Sequence, residues 1–285
     1  MGIGGGGDVV GALAAAELLG DAIVGGLTWE RRPVDPIPGP RRLDEIVNAT
    51  RLNDAVALAG PGTAGPGGFL FCESHVARAT GERTVLVDPG RGPRAIAQAL
   101  DDAAGQLGCG RIVLLDVGGD VLAHGDEPGL ASPLADAVLL ACARFLRTPP
   151  VAAVFGAGCD GELTPGEVRA RLDEVGTDRE ERLGAAQLDR LDPVAREVPT
   201  EASAMALRCA RGERGDVPIR QGRRSVPLTD LGGVIAWFDP LRAIDTAARL
   251  AAAVVDAASL DEADAILEAR GIRTELAYER EMARP

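Results

Sequence analysis

Residues 2–20 read GIGGGGDVVGALAAAELLG: a run of glycines, one aspartate, then an apolar stretch of Ala, Val and Leu. Val9 to Leu19 is predicted to form a helix with Asp8 as N-cap and Gly20 as its terminator. Gly2, Gly4 and Gly7 match G-x-G-x-x-G, the turn that brings backbone amides against a pyrophosphate, and Glu30 falls about where dinucleotide folds keep the acid that holds a ribose. Two features oppose that reading. Only Met1 to Ile3 stand before the turn, and Asp8 puts a carboxylate at a helix N-terminus, whose partial positive charge would otherwise attract phosphate. A carboxylate among free backbone amides would instead accept a substrate hydroxyl or amine, or ligate a metal. Gly4, Gly5, Gly6, Gly7 and Asp8 are therefore candidate substrate contacts. The simpler alternative is that Asp8 only caps the helix and the glycines only permit tight packing.

Downstream, short apolar runs at Ala22–Leu27, Ala55–Ala59, Thr84–Val87, Arg111–Leu115, Val151–Phe155 and Val234–Trp237 alternate with helical stretches such as Arg94–Leu107 and Pro133–Phe145. This alternation predicts an α/β fold: three layers, a mainly parallel sheet with helices on both faces, Rossmann-like. We read residues 1–285 as a single α/β domain, with a helical or loop excursion over 177–225. WERRPVDPIPGPRR, residues 29–42, has too many prolines for either regular element and is expected to be an ordered loop or lid. Thr164, Pro165 and Glu167 form a capping box that opens a helix. Thr200–Arg211 is expected to be another capped helix, and the arginine-rich stretch after it a solvated loop. SLDEADAILEARG is an amphipathic helix stopped by Gly271, and IRTELAYE after it is expected to be an edge strand.

Composition removes whole chemistries. With 43 acidic and 30 basic residues the chain carries a net charge of −13, which opposes binding to nucleic acid and to anionic membranes. All the basic residues are arginine, so P-loop, protein-kinase and Schiff-base chemistry all lack their lysine. The cysteines show no C-x-x-C spacing, and His75 and His124 are the only histidines; carboxylates are the plentiful ligands, so a bound metal would be a hard one such as Mg²⁺ or Mn²⁺. No apolar run approaches the roughly 20 residues that span a bilayer, and the first residues lack a basic n-region, which together predict a cytoplasmic protein.

Acids recur after the apolar runs, beside Gly or Pro: Asp88, then Asp116 and Asp120, then Asp160 and Glu162, then Asp239. The carboxyl ends of strands form the ligand crevice of open α/β sheets, so these acids are expected to converge; each taken singly also reads as an ordinary turn or cap residue. So acidic a cleft needs a cation, an arginine or a protonated carboxyl to relieve it. Asp116, Asp120 and Asp160 are the candidate metal ligands, and His124, Asp120 and Glu162 the candidate proton carriers, His124 because neighbouring acids would raise its pKa. Arg31 and Arg32 are candidates for an anionic group, and Glu30, His75 and Asp136 for further substrate contacts. Cys72 beside His75 is poor evidence for a nucleophile, since sequence neighbours need not face each other.

GIGGGGDVVGALAAAE, LLDVGGDVLAHGDEPGLASPLADA, GAGCDGEL and TELAYER together resemble domain-of-unknown-function family 1152, an uncharacterised archaeal and bacterial family, over nearly the whole chain. The resemblance implies a stand-alone, enzyme-like α/β protein and brings no assigned reaction. The residues favour an enzyme acting on a small hydroxyl-rich, phosphorylated metabolite, a nucleoside, nucleotide or sugar, by metal-assisted hydrolysis, lyase or group-transfer chemistry. An NAD(P)-dependent oxidoreductase using the glycine turn and Glu30 is the second reading, and a non-catalytic ligand-binding protein the third. A surface rich in Ala and Leu leaves room for a homo-oligomer.

Overall fold

Strands and helices alternate along residues 1–284, which the computed structural model describes. The strands are β1 (Gly25–Leu27), β2 (Thr50–Arg51), β3 (Val56–Ala59), β4 (Thr84–Val87), β5 (Ile112–Val117), β6 (Pro150–Phe155), β7 (Arg179–Glu181), β8 (Gly215–Ile219), β9 (Arg224–Leu228) and β10 (Ile235–Phe238). The helices are α1 (Asp8–Leu19), α2 (Cys72–Thr80), α3 (Pro93–Leu107), α4 (Pro133–Ala141), α5 (Pro165–Val175), α6 (Ala185–Glu197), α7 (Ala202–Ala210), α8 (Pro240–Asp245), α9 (Arg249–Val254), α10 (Leu260–Glu268) and α11 (Glu275–Met282). Among the described residues no helix is long and apolar enough to cross a membrane.

One sheet runs β1-β4-β3-β2 and a second β5-β6-β10-β7. The pairs β1–β4 and β5–β6 are parallel, whereas β3–β4, β2–β3, β6–β10 and β7–β10 are antiparallel. The sheets are therefore mixed, not mainly parallel as the alternation suggested, because β3 and β10 return antiparallel to their neighbours. Met1–Ile3 lies between the sheets: Gly2 N donates to Gly25 O at 2.8 Å on one side, and Ile3 N to Leu115 O at 3.0 Å on the other.

Successive residues of the second sheet point to opposite sides, as the pleat requires. Leu114, Ala152, Val154, Ala236 and Phe238 join a core with α3, α4, α9 and α10, while Leu115, Ala153, Phe155, Ile235 and Trp237 join one with α1, α2, α6 and α7. Gly11 on α1 permits close approach: a Cβ there would stand 2.3 Å from a methyl of Val117.

Several boundaries move. The strand expected over Ala22–Leu27 shortens to Gly25–Leu27. Residues 177–225 form no detached excursion: β7 pairs with β10, and Leu188, Leu191 and Val194 of α6 are buried in the core shared with α1 and α2. The arginine-rich stretch after α7, expected as a loop, is the antiparallel hairpin β8–β9. The expected C-terminal edge strand is helix α11, because Thr274 caps it by accepting from Ala277 N at 3.1 Å and Glu, Leu, Ala and Arg are good helix formers. The capping box at Thr164 and Glu167 and the Ser259 cap of α10 form as read.

Candidate functional site

Six carboxylates meet where the glycine turn, β5 and β6 end. Asp8 opens α1, Asp116 is near the end of β5, Asp120 follows it in a single 3₁₀ turn, Asp136 is in the first turn of α4, and Asp160 and Glu162 lie in the loop after β6. All six are buried, Asp116 with 1% and Asp136 with 2% of its surface exposed. They fall into two triads, Asp8–Asp116–Asp136 and Asp120–Asp160–Glu162, each offering three carboxylate oxygens within 4.8 Å of one another. The expected ligand set Asp116, Asp120 and Asp160 is thereby divided: Asp116 joins the first triad, the other two the second.

Asp8 is not the N-cap. Gly7 occupies that position, and the Asp8 side chain turns back so that its Oδ2 accepts from Gly4 N at 3.0 Å. Asp116 Oδ2 accepts from Gly119 N at 2.8 Å and Asp160 Oδ1 from Glu162 N at 3.1 Å. Asp136 Oδ1 is buried without a hydrogen-bond partner. Glycine makes the convergence possible: a Cβ on Gly118, at φ 135°, would stand 2.4 Å from the Asp160 carboxyl carbon.

Burial raises the pKa of Asp8 to about 7, against the opposing pull of Arg31 and the Gly4 amide, and raises that of Asp160 to about 7. Asp116, Asp120 and Asp136 rise well above the carboxylate range, first through burial and then through one another and the adjacent acids. Glu162 behaves oppositely. Burial pushes it up, but Ser132 Oγ at 2.5 Å, the amides of Ala131 and Ser132 at 2.7 and 2.8 Å, and Arg220 Nη2 at 2.9 Å outweigh burial and hold it ionised, below its ordinary value. So anchored, Glu162 is the one member of the six whose pKa is lowered.

Two arginines border the acids. Arg31 Nη2 donates to Gly4 O at 3.0 Å. Burial opposes its charge, yet Glu275, Asp8, Glu162 and Asp136 around it raise its pKa above the ordinary arginine value. Arg220 enters from the β8–β9 turn, where it and Gln221 both take positive φ, 51° and 58°.

Other candidates lie elsewhere. Gly5 and Gly6 make the turn at φ 78° and 52°, and Gly6 N donates to Trp29 O at 2.9 Å. Gly7 is covered by the start of α7: a Cβ there would stand 2.1 Å from Thr200 Oγ1, and Ser203 Oγ donates to Gly7 O at 2.8 Å. Glu30 faces the N-terminus of α2 and accepts from Cys72 N at 2.5 Å. Burial, with Glu30 and Glu73 nearby, pushes the Cys72 thiol well above its ordinary pKa, which disfavours its thiolate. Arg32 donates to Met282 O at 3.0 Å on α11, and half-buried His75 has its pKa lowered by burial and Arg78. His124 Nε2 lies 3.3 Å from Glu174. Burial, with Arg171 and Arg249 nearby, lowers its pKa, opposite to expectation, because it faces these arginines as well as acids. Asp88 and Asp239 are local caps, accepting from Gly90 N and Leu241 N.

Sequence reading missed Glu275, whose carboxylate accepts from Leu134 N at 3.0 Å and Ala135 N at 2.8 Å at the start of α4 and whose pKa burial raises to about 7. It also missed Arg220 and Ser132 as partners of Glu162. No spacing in the sequence marks them, since each reaches the site from a distant element.

Fold and site together define a mixed α/β protein with a buried carboxylate cluster beside a glycine turn. A family model described as protein of unknown function, DUF1152, matches residues 1–283, and the chain belongs to that family. No curated protein and no solved structure matches it.

Proposed function

We propose that the chain is an enzyme that holds a hard divalent cation, Mg²⁺ or Mn²⁺, in the carboxylate cluster and acts on a small phosphorylated, hydroxyl-bearing metabolite by hydrolysis, elimination or group transfer. The observation that carries this reading is Asp136 Oδ1, buried without a partner among carboxylates of raised pKa. Burying an unpaired carboxylate oxygen is costly, and an oxygen-seeking cation meeting Asp8, Asp116 and Asp136 together would remove that cost.

The fold supports the location. With Met1–Ile3 counted as a strand hydrogen-bonded on both sides, the order β4, β1, residues 1–3, β5, β6 would match that of a doubly wound sheet, and the acids would then lie where that order reverses, the usual ligand crevice. There a cation would polarise a phosphoryl or carbonyl oxygen or lower the pKa of a bound water. Arg31 and Arg220 would hold the anionic group, and Asp120, whose pKa is raised by burial and then by Asp136 and Glu162, would supply a proton to a leaving oxygen. The NAD(P) reading has less support, because Thr200 and Ser203 cover Gly7 and Glu30 is engaged by Cys72.

The test is calorimetric titration of metal-stripped protein with Mn²⁺ and Mg²⁺, followed by a screen of phosphomonoesters and nucleotides with the loaded protein. Saturable binding that Asp136→Asn abolishes supports the reading. Absence of binding by either cation near neutral pH overturns it.

A further inference from the structure

We propose that Cys159 and Cys209 are a reversible dithiol pair whose oxidation by a peroxide closes a disulfide between the loop that carries Asp160 and helix α7. Their sulfurs lie 3.8 Å apart, both buried, although the residues are 50 positions apart in sequence. Cys159 belongs to the loop after β6 and directly precedes Asp160. Cys209 is in the last turn of α7, the helix that begins over the glycine turn through Thr200 and Ser203. The sulfurs lie against Gly232, where a Cβ would stand 2.7 Å from Cys209 Sγ and 3.1 Å from Cys159 Sγ, so any larger residue there would push them apart.

Bonding requires the sulfurs to close from 3.8 Å to roughly 2.05 Å. The chemistry balances with one peroxide. One thiol attacks the O–O bond, forming a sulfenic acid and releasing water or an alcohol; the second thiol attacks that sulfur and expels water. Two S–H bonds and one O–O bond break, one S–S bond forms, both cysteines are oxidised and the peroxide is reduced. Burial slows the first step, while the adjacent thiol makes the second intramolecular and fast. Cys72 and Cys142 are differently placed, their sulfurs lying against Glu30 Oε2 at 3.3 Å and Val138 O at 3.2 Å. The bond would fix α7, and with it the cover over Gly7, to the loop that carries Asp160 and Glu162.

Full-length protein is treated with hydrogen peroxide, alkylated and mapped by mass spectrometry. The expected result is loss of two of the five titratable thiols, a peptide cross-linked through Cys159 and Cys209, and reversal by dithiothreitol. Cys209→Ala and Cys159→Ala, made separately, should each abolish the cross-link. Five thiols retained in the wild-type protein, or a cross-link through other cysteines, overturns the proposal. The effect on the carboxylate cluster rests on the metal reading and is tested separately: Mn²⁺ affinity should differ several-fold between oxidised and reduced forms. Equal affinities would overturn the coupling. Absence of Mn²⁺ binding in both would overturn the metal reading and leave the cross-link standing.

Discussion

Gly4 and Asp136 meet in the carboxylate cluster: a Cβ on Gly4 would stand 2.9 Å from Asp136 Oδ2 and 2.7 Å from Asp8 Oδ2. Two carboxylates from different elements thus share the space that one missing methyl leaves. Gly4→Ala should displace both, lowering stability by about 1–3 kcal/mol, the usual cost of overpacking a tight site. Its Mn²⁺ affinity should fall at least as far as that of Asp136→Asn, measured by thermal melting and titration. A variant that binds and melts like the wild type would show that the crowding has no consequence.

Asp136→Asn separates stability from binding. Removing one charge from a buried group of like charges should raise the melting temperature of the metal-free protein, or leave it unchanged, while lowering cation affinity more than tenfold. A loss in both properties would mean that Asp136 serves packing alone.

Stability of the metal-free protein should fall as pH rises from 5 to 8. Asp8 and Asp160 have folded-state pKa values raised to about 7, so folding favours their protonated forms. That contribution is fully present below the ordinary carboxylate range and declines as pH climbs through it towards 7, because the unfolded chain ionises first; the total is on the order of a few kcal/mol. Mg²⁺ should reverse the trend at pH 8. Urea melts across this range, with and without the cation, would read both slopes.

Arg31→Gln should be severe. It removes the half-buried cation whose charge Glu275, Asp8, Glu162 and Asp136 favour, and should lower the melting temperature more than Arg220→Gln does. Arg220→Gln should be mild for stability, since its side chain is about a third exposed, and should instead weaken binding of inorganic phosphate to the Mn²⁺-loaded protein. Equal destabilisation by the two would contradict the division of roles.

The strand over Thr84–Val87 and the capped helices α5 and α10 were legible because apolar runs and caps are local signals. Strand direction was not: β3 and β10 are as apolar as their parallel neighbours, and nothing in their composition says which way they run. The acids were legible as residue types at strand ends, but Asp88 and Asp116 end equally apolar runs and only the fold makes one a cap and the other a member of the cluster. His124 misled because its sequence neighbours are acidic while Arg171 and Arg249 arrive from α5 and α9.

Trp29 Nε1 and Gly39 N both donate to Glu279 Oε2, at 3.1 and 2.8 Å, across 250 and 240 residues of sequence. During synthesis the proline-rich segment leaves the ribosome some 240 residues before its fastening does. Until residues 275–279 are free, Arg31 lacks its neighbour Glu275 and the start of α4 lacks its acceptor, so a stalled or truncated chain would present the acidic residues to solvent in a half-assembled state. Competence would thus arrive in one step, when α11 docks.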